Sequence, residues 1–258
     1  MENEHVHGSP SGHGSSPGHR RRPDKGDCYL IRKINSGFLS PAYSAAADEI
    51  LLSQPNSFHI YRRNKATISL GYFQKSATTV DLEAARNLNY TIIRRMSGGG
   101  TIVTDPHQLI FCTVLRKNHD VRKLIGSVCA SVVTALGELD IEAEYKAIND
   151  IEVNGKKISG SGQVVRNNAV AIQTTLLLKC PELHVLQADK RGRAGLTSIF
   201  DILGFIPEIN HISELVAASL SETLEEEMYA DEFSAAEKYE IEKLVKTKYS
   251  LDSYTFSL

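Results

Sequence analysis

The stretch Arg94-Arg95-Met96-Ser97-Gly98-Gly99-Gly100 stands between two apolar, β-branched runs, at residues 90–93 and 101–104. Both runs are typical of β-strands. Three consecutive glycines bury no side chain, but they let a backbone pass close to a ligand and point its N–H groups at an anion. The two arginines add charged donors for a carboxylate or a phosphate. The stretch therefore predicts either a ligand-binding loop or a flexible hairpin loop with solvated arginines.

A second motif lies at Asn154-Gly155, a dipeptide that favours a two-residue hairpin turn between the flanking apolar residues. Such a turn pairs Glu152 with Lys157 and, in regular register, Asp150 with Ser159. Paired residues share a face of the sheet. The hairpin is therefore predicted to bring these four polar side chains to one surface.

A carboxylate and an ammonium on one surface can hold a metal-bound phosphate and neutralise charge on a transferring group. A Gly-Ser-Gly run at residues 160–162 follows them directly. The alternative is that Glu152 and Lys157 form an ordinary cross-strand ion pair, worth about 1 kcal/mol or less. The hairpin by itself leaves both interpretations open.

The amino-acid composition limits the classes of protein to which this chain can belong. The chain has 258 residues, of which 41% are hydrophobic and 23% charged, as expected for a soluble globular protein. No apolar run approaches the roughly 20 residues of a membrane helix. A formal net charge of -2 provides no general attraction to nucleic acid or to an anionic membrane. Four widely spaced cysteines favour reduced thiols in a cytoplasmic protein over a disulfide framework or a zinc site: Cys28, Cys112, Cys129 and Cys180.

The chain divides into a tail and one domain. Residues 1–26 are rich in Gly, Ser, Pro and His and too poor in apolar side chains to offset the entropy of ordering. We predict a disordered tail there and a single domain over residues 27–258.

Strand-like and helix-like patterns mix in this domain without strict alternation. Helices are predicted from Ser40-Pro41, over residues 81–88, over residues 120–139, over a stripe that ends at Met228, and from a capping box at Ser234. Strands are predicted at residues 28–34, 58–62, 67–71, 90–93, 101–104, 108–115, 141–145, 150–153, 157–161 and 169–178. The pattern indicates the α/β class, more fully an α+β arrangement in which helices pack on a mixed β-sheet.

Several motifs together resemble the lipoate–protein ligase A family. The similarity covers most of residues 27–200, in the family's order and approximate spacing. It is carried by residues 58–62, by Ser69-Leu70-Gly71-Tyr72-Phe73-Gln74, by residues 94–100, by Asn149-Asp150 and by residues 155–163. Biotin–protein ligases share the fold and a similar lysine hairpin, but their arginine–glycine loop differs.

The resemblance implies the biotin/lipoate protein ligase catalytic-domain fold and a set of site residues. It implies that Lys157 is catalytic and contacts the carboxyl and α-phosphate oxygens, and that Asp150 helps to place Mg²⁺. It implies that the glycine loop and the hairpin bind lipoate and its adenylate, through Arg95, Ser97, Gly98, Gly99, Gly100, Thr101, Ser159, Gly160 and Ser161.

The implied reaction joins lipoate and ATP into lipoyl-AMP and pyrophosphate, and then moves the lipoyl group to a lysine of a lipoyl carrier domain. The carrier would be a 2-oxoacid dehydrogenase E2 component or a glycine-cleavage H-type protein. One fixed cation beside the reacting carboxyl group suits both half-reactions, because charge develops there in each.

Three departures from the family pattern are visible. Thr104-Asp105 stands where the family usually has His-Asp, and Ile172-Gln173-Thr174-Thr175 stands where it commonly has Gln-His-Gly-Thr. We also expect a short form without the accessory C-terminal domain of longer ligases, which in some members is a separate small protein. Such a chain is expected to transfer lipoyl groups from ready-made lipoyl-AMP, but to activate free lipoate weakly without that partner.

Two other functions compete with the ligase. An octanoyl or lipoyl transferase would move the acyl group between carriers without ATP, and such relatives often use a cysteine, in one branch just upstream of the hairpin. Residues 144–148 contain no cysteine. A degenerate, non-catalytic protein that only binds lipoyl domains is the third possibility, and the retained Lys157 argues against it.

Overall fold

The computed structural model of the chain describes residues 30–116, 120–187 and 193–258. The predicted tail at residues 1–26 and the start of the first predicted strand lie outside this part of the chain. Within it, no helix combines the length and the apolar character needed to span a bilayer.

The strands of the described residues form two sheets. In chain order they are β1 (Ile31–Leu39), β2 (Ser57–Arg63), β3 (Thr67–Leu70), β4 (Thr91–Arg94), β5 (Ile102–Thr104), β6 (Gln108–Arg116), β7 (Glu144–Lys146), β8 (Asp150–Val153), β9 (Lys156–Arg166), β10 (Ala169–Leu177) and β11 (Met228–Asp231). The larger sheet has the order β11-β1-β2-β6-β10-β9-β8-β7, and the smaller has the order β4-β3-β5. Both sheets combine parallel and antiparallel pairs, which confirms the predicted mixed sheet.

The helices are α1 (Pro41–Leu51), α2 (Ser76–Thr79), α3 (Leu82–Asn87), α4 (Val121–Gly137), α5 (Ile199–Leu203), α6 (Ile209–Leu224), α7 (Ala235–Leu244) and α8 (Asp252–Thr255), with a 3-10 turn at Arg193–Gly195 and a π-helix at Val245–Tyr249. The predicted N-terminal capping residues of two helices are confirmed. Ser40 Oγ accepts a hydrogen bond from the backbone N–H of Tyr43 before the proline of α1. Ser234 and Glu237 form the predicted capping box of α7.

The large sheet is covered on both faces. Helices α4 and α6 pack on one face with the predicted stripes of Leu124, Val128, Val132 and Leu136, and of Ile212, Val216 and Leu220. Helices α1 and α7 and the π-helix pack on the other, through residues such as Ala46, Leu51, Ile241 and Tyr249. The small sheet has its own apolar cluster, which includes Ile68, Leu70 and Val103.

The predicted extent of one helix was wrong. The helix stripe was predicted to continue to Met228, but α6 ends at Leu224 because Glu225 adopts a left-handed conformation. Met228 instead begins β11, which pairs in parallel with β1 at the edge of the sheet. The predicted strands at residues 58–62 and 67–71 are confirmed as β2 and β3, which belong to different sheets.

The Asn154-Gly155 hairpin forms as predicted at its turn, where both residues have positive φ. Its register departs from the prediction after the first two pairs. Ile158 is an extra residue, so Ile151 pairs with Ser159, and Gly160 rather than Ser159 lies opposite Asp150. This β-bulge changes which side chains face each other at the site.

Candidate active site

Lys157 and Asp150 lie together on one surface of the hairpin. Lys157 Nζ lies 2.6 Å from Asp150 Oδ1, and the two side chains are 28% and 14% exposed. A Cβ on Gly160 would overlap the end of the Lys157 side chain. A side chain at residue 160 would therefore force the end of the Lys157 side chain to move.

The backbone of Lys157 is held from the other side by a segment that the sequence did not single out. Leu196 forms a parallel bridge with Lys157, and the N–H of Thr197 donates to the Lys157 carbonyl oxygen at 3.0 Å. Leu196 also lines the cavity described below. Backbone pairing at one isolated position has no signature in the local sequence, so only the tertiary structure identifies this contact.

The glycine loop is built around Arg95. Its Nη1 donates to the carbonyl oxygen of Ser69 at 2.8 Å, and its Nη2 donates to the carbonyl oxygens of Gly98 and Gly100 at 2.9 and 2.7 Å. The side chain is buried, and burial, together with the nearby Arg63, lowers the pKa of Arg95 to about 10. Arg94 is also buried. The alternative of a loose hairpin with solvated arginines is therefore wrong.

Ser97 and Gly98 connect this loop to the large sheet. Ser97 Oγ accepts from Arg95 Nε at 3.0 Å and donates to Gln173 Oε1 at 2.6 Å. The N–H of Gly98 donates to the carbonyl oxygen of Gln163 at 3.1 Å. These two predicted residues fasten the loop and do not line the cavity beside it.

A cavity of about 430 Å³ lies between the glycine loop, the hairpin and the small sheet. Eight of the predicted residues line it together with Asp150: Arg95, Gly99, Gly100, Thr101, Lys157, Ser159, Gly160 and Ser161. Its apolar lining includes Ile102, Val103, Ile110, Leu177, Leu183 and Leu186. The cavity extends from Arg63 on β2 to Lys157 on β9, three strand spacings or about 14 Å. One cavity is therefore lined by apolar side chains, by the backbone of the glycine loop and by a lysine–carboxylate pair.

A buried polar network supports the cavity floor, and the sequence analysis missed it. The Asp48 carboxylate accepts from His59 Nδ1 at 2.9 Å, from the Tyr61 hydroxyl at 2.8 Å and from the amide of Gln173. Burial raises the pKa of Tyr61, and the Asp48 charge raises it further. Through Gln173 the network continues to Ser97 and the glycine loop. A carboxylate within the apolar stripe of α1 was the available signal, because a buried charge requires partners.

The two departures in residue type, at Thr104 and Gln173, lie beside the buried Arg63 and Arg95. Thr104 Oγ1 accepts from Arg63 Nη1 at 2.9 Å, and Gln173 binds the serine that holds Arg95. Within the described residues, neither arginine lies within ion-pair distance of a carboxylate. A histidine at either position would put another basic group next to a buried cation. The substitutions therefore fit the local electrostatics of this chain.

None of the described residues that line the cavity is a cysteine. Cys112 and Cys129 are buried, as predicted, and burial raises the pKa of both thiols, that of Cys129 to about 11. A thiol with a raised pKa holds less of the nucleophilic thiolate.

Asp150 is the one carboxylate among the described residues that line the cavity. In the described ranges, no group of three or more histidine, cysteine, aspartate or glutamate side chains could hold a metal by itself. Mg²⁺ is commonly bound by one or two carboxylates together with substrate phosphates, so Asp150 fits an ion that arrives with a nucleotide.

Known protein structures share this fold. The chain superimposes with a TM-score of 0.81 on an archaeal bipartite lipoate protein ligase from Thermoplasma acidophilum, at 22% identity, covering 89% of this chain and 97% of that one. It also superimposes on a biotin protein ligase from Aquifex aeolicus, with a TM-score of 0.51, 16% identity and coverage of 76% and 70%. The architecture is therefore that of the lipoate and biotin protein ligases.

The family follows from the sequence match. Residues 40–236 match the lipoyl protein ligase A/B catalytic domain, which is most of the chain. The chain thus belongs to the lipoyl protein ligase A/B family, as the resemblance implied.

Individual relatives within the family carry different names. A lipoate-protein ligase LplJ from Bacillus subtilis is 26% identical, over 77% of this chain and 58% of that protein. An octanoyltransferase LipM from Geobacillus kaustophilus is 24% identical, over 87% of this chain and 97% of that protein. The chain spans about half of the length, 45% to 58%, of three curated relatives that it matches.

Proposed function

We propose that this chain is the catalytic part of an ATP-dependent lipoate–protein ligase. It would activate lipoate to lipoyl-AMP and transfer the lipoyl group to a lysine of a lipoyl carrier domain. The observation that carries the proposal is the arrangement of Lys157 and Asp150 at one end of an apolar cavity walled by a glycine loop. In this proposal residues 27–258 form the catalytic domain.

Both steps use the same few groups. In the first, a carboxylate oxygen of lipoate bonds to the α-phosphorus of ATP, and the bond to the bridging oxygen breaks as pyrophosphate leaves. In the second, the carrier amine attacks the carbonyl carbon of lipoyl-AMP, loses a proton, and AMP leaves. Lys157 would neutralise charge on the oxygens shared by both steps, and backbone N–H groups of Gly99 and Gly100 would face the phosphate. Asp150 would hold the Mg²⁺ that accompanies the nucleotide.

The charge of the cavity favours an anionic substrate. Its described lining has three cations, Arg63, Arg95 and Lys157, and one carboxylate, Asp150, so the lining has two positive charges in excess. Asp48 beneath the floor reduces the excess to one. A buried cation without a counter-charge is unfavourable. A nucleotide would supply the missing negative charge, whereas the neutral acyl group of an acyl carrier would not.

The second candidate is an ATP-independent octanoyl or lipoyl transferase. It is favoured by the octanoyltransferase relative that this chain covers almost end to end. Against it stand the absence of cysteine from the described cavity lining and the raised pKa of Cys112 and Cys129. A non-catalytic carrier-binding protein is less favoured, because such a protein has no need of the Lys157–Asp150 pair.

The partner we propose is a lipoyl carrier domain, either an E2 component or an H-type protein. The Thermoplasma relative is described together with its E2 lipoyl domain, and its ligase is bipartite. By analogy, a separate small accessory protein would assist adenylation by this chain.

One assay separates the candidates. Purified protein is incubated with lipoate, Mg²⁺ and an apo lipoyl domain, with and without ATP, and the carrier mass and pyrophosphate are measured. The ligase predicts a carrier mass gain only with ATP, accompanied by pyrophosphate. A third arm omits lipoate and ATP and supplies an octanoyl-carrier donor, and a carrier mass gain there would overturn the proposal in favour of the transferase. A fourth arm supplies synthetic lipoyl-AMP, and lack of transfer in every arm would indicate the non-catalytic alternative.

A further inference from the structure

A segment near the C-terminus packs on helix α1, and two of its side chains bind the same carboxylate there. This segment, called here the brace, consists of the π-helix Val245–Tyr249 and helix α8, Asp252–Thr255. Glu49 Oε2 accepts from Lys248 Nζ at 2.6 Å and from the Tyr249 hydroxyl, and Glu49 Oε1 accepts from Arg166 Nη1 at 3.1 Å. Glu49 does not line the cavity.

The other end of the brace is bound by Arg94. Arg94 Nε donates to the carbonyl oxygen of Thr255 at 3.1 Å. Its Nη1 donates to three carbonyl oxygens of the loop after β3, those of Gly71, Tyr72 and Gln74, at 3.1, 3.0 and 2.7 Å. The side chain is only 1% exposed and, among the described residues, has no carboxylate within ion-pair distance. One guanidinium thus joins the brace to this loop.

The loop that Arg94 holds belongs to the cavity. Gln74 lines the cavity, and the N–H of Tyr72 donates to the carbonyl oxygen of Ser97 in the glycine loop at 2.9 Å. A Cβ on Gly71 would overlap the carbonyl oxygen of Gly99, so the two backbones touch. Any displacement of this loop must therefore displace the glycine loop as well.

We propose that Arg94 is a positioning residue through which the docked brace holds the loop at residues 71–74, and with it the glycine loop, in ligand-binding geometry. Four carbonyl oxygens share the donors of one buried cation. When Thr255 withdraws, the guanidinium loses the acceptor that fixes its Nε and can turn away from the other three. Lysine cannot replace arginine here, because one ammonium cannot supply the two separate donor nitrogens, Nε and Nη1, that bind the brace and the loop.

The first test needs no substrate and is independent of the proposed function. Amide hydrogen exchange is followed in ligand-free wild type, Glu49→Gln and Arg94→Lys, with Glu240→Gln as the control. Glu240 is an exposed carboxylate on α7 that pairs with Lys243, so its neutralisation leaves the brace docked. We expect faster exchange in peptides covering residues 71–75 in both test variants, and wild-type exchange in the control. Unchanged exchange in Glu49→Gln, with the brace itself exchanging faster, would overturn the proposal.

The second test rests on the proposed ligase function. Each test variant should raise KM for lipoate about tenfold, the effect of about one lost charged hydrogen bond, with a smaller change in kcat. If the brace acts through Arg94, the double variant should match the more affected single variant within about twofold. Multiplied effects in the double variant would mean that the two residues act independently, which contradicts the proposal. Absence of activity in wild type would count against the proposed function alone, since the exchange result stands without it.

Discussion

Gly71 and Gly99 touch through their backbones, although 28 positions separate them in the chain. A Cβ on Gly71 would overlap the carbonyl oxygen of Gly99, and the Arg95 side chain lies close by. Gly99 has a φ of 94°, a conformation that other residues rarely adopt. The glycine loop is therefore closed against the loop after β3, and it is not free to move as a simple hairpin.

Gly71→Ala should displace the glycine loop. We expect the free energy of unfolding to fall by about 1–3 kcal/mol, because backbone must move to admit the methyl group. Lipoate affinity, measured by calorimetry, should fall as well. Gly126→Ala is the control, because Gly126 lies in α4 with no atom near its Cβ position, and alanine should stabilise that helix. A fully stable Gly71→Ala protein with normal affinity would contradict the closed loop.

Lys157→Ala should reduce the rate of carrier modification by about 100- to 1000-fold, because the fixed cation beside the reacting oxygens is lost. The fold should persist, since a partly exposed ion pair contributes little stability. Circular dichroism and steady-state rates measure the two effects. Lys156→Ala is the matched control, because Lys156 is the exposed neighbour and does not line the cavity. Equal losses in both variants would argue against a specific role for Lys157.

Arg95→Ala should weaken binding of lipoyl-AMP and also destabilise the loop. The affinity loss should be about 1.5–3 kcal/mol, typical of a lost charged hydrogen bond. The variant also leaves the carbonyl oxygens of Ser69, Gly98 and Gly100 without their donor. Thermal unfolding and calorimetry should therefore report both effects. A variant with lower affinity but wild-type stability would show that Arg95 acts on the ligand alone.

Cys129 should resist alkylation at pH 8. A pKa of about 11 leaves about one thiolate in a thousand at that pH, and the side chain is buried. Raising the pH towards 11 should accelerate the reaction as the thiolate forms. Peptide mapping after iodoacetamide treatment measures this directly, with the half-buried Cys180 as the comparison. Rapid labelling of Cys129 with loss of activity would favour the cysteine-dependent transferase.

Glu237→Gln should lower the free energy of unfolding by about 2 kcal/mol at neutral pH, the effect of a lost charged hydrogen bond. Burial raises the pKa of Glu237, but hydrogen bonds from Arg32 and Ser234 outweigh it and the net pKa is lowered. A lowered folded-state pKa contributes stability above the unfolded-state pKa, and that stability is lost as pH falls through the folded-state value. The free energies of unfolding of wild type and variant, measured with urea, should therefore converge at acidic pH. A pH-independent difference would refute this account.

Local sequence determined much of this protein. The capping residues Ser40 and Ser234 were recognisable because they bond to backbone within three positions. The stripes of α4 and α6 were visible because a helix that packs on a sheet repeats its apolar residues at helical spacing. The Asn154-Gly155 turn was predictable because both residues must have positive φ. The order and spacing of the ligase motifs identified the family, since motifs are short and contiguous.

Tertiary structure decided the rest. The bulge at Ile158 sets Asp150 opposite Gly160. The sequence did not reveal it, because Ile158 packs in the core as a regular strand residue would. The end of α6 before Met228 depends on pairing with β1, almost 200 positions away. Contacts across such distances depend on how the layers pack. For the same reason the links from Asp48 to the glycine loop, and from Thr255 through Arg94 to the cavity, became visible only in the folded chain.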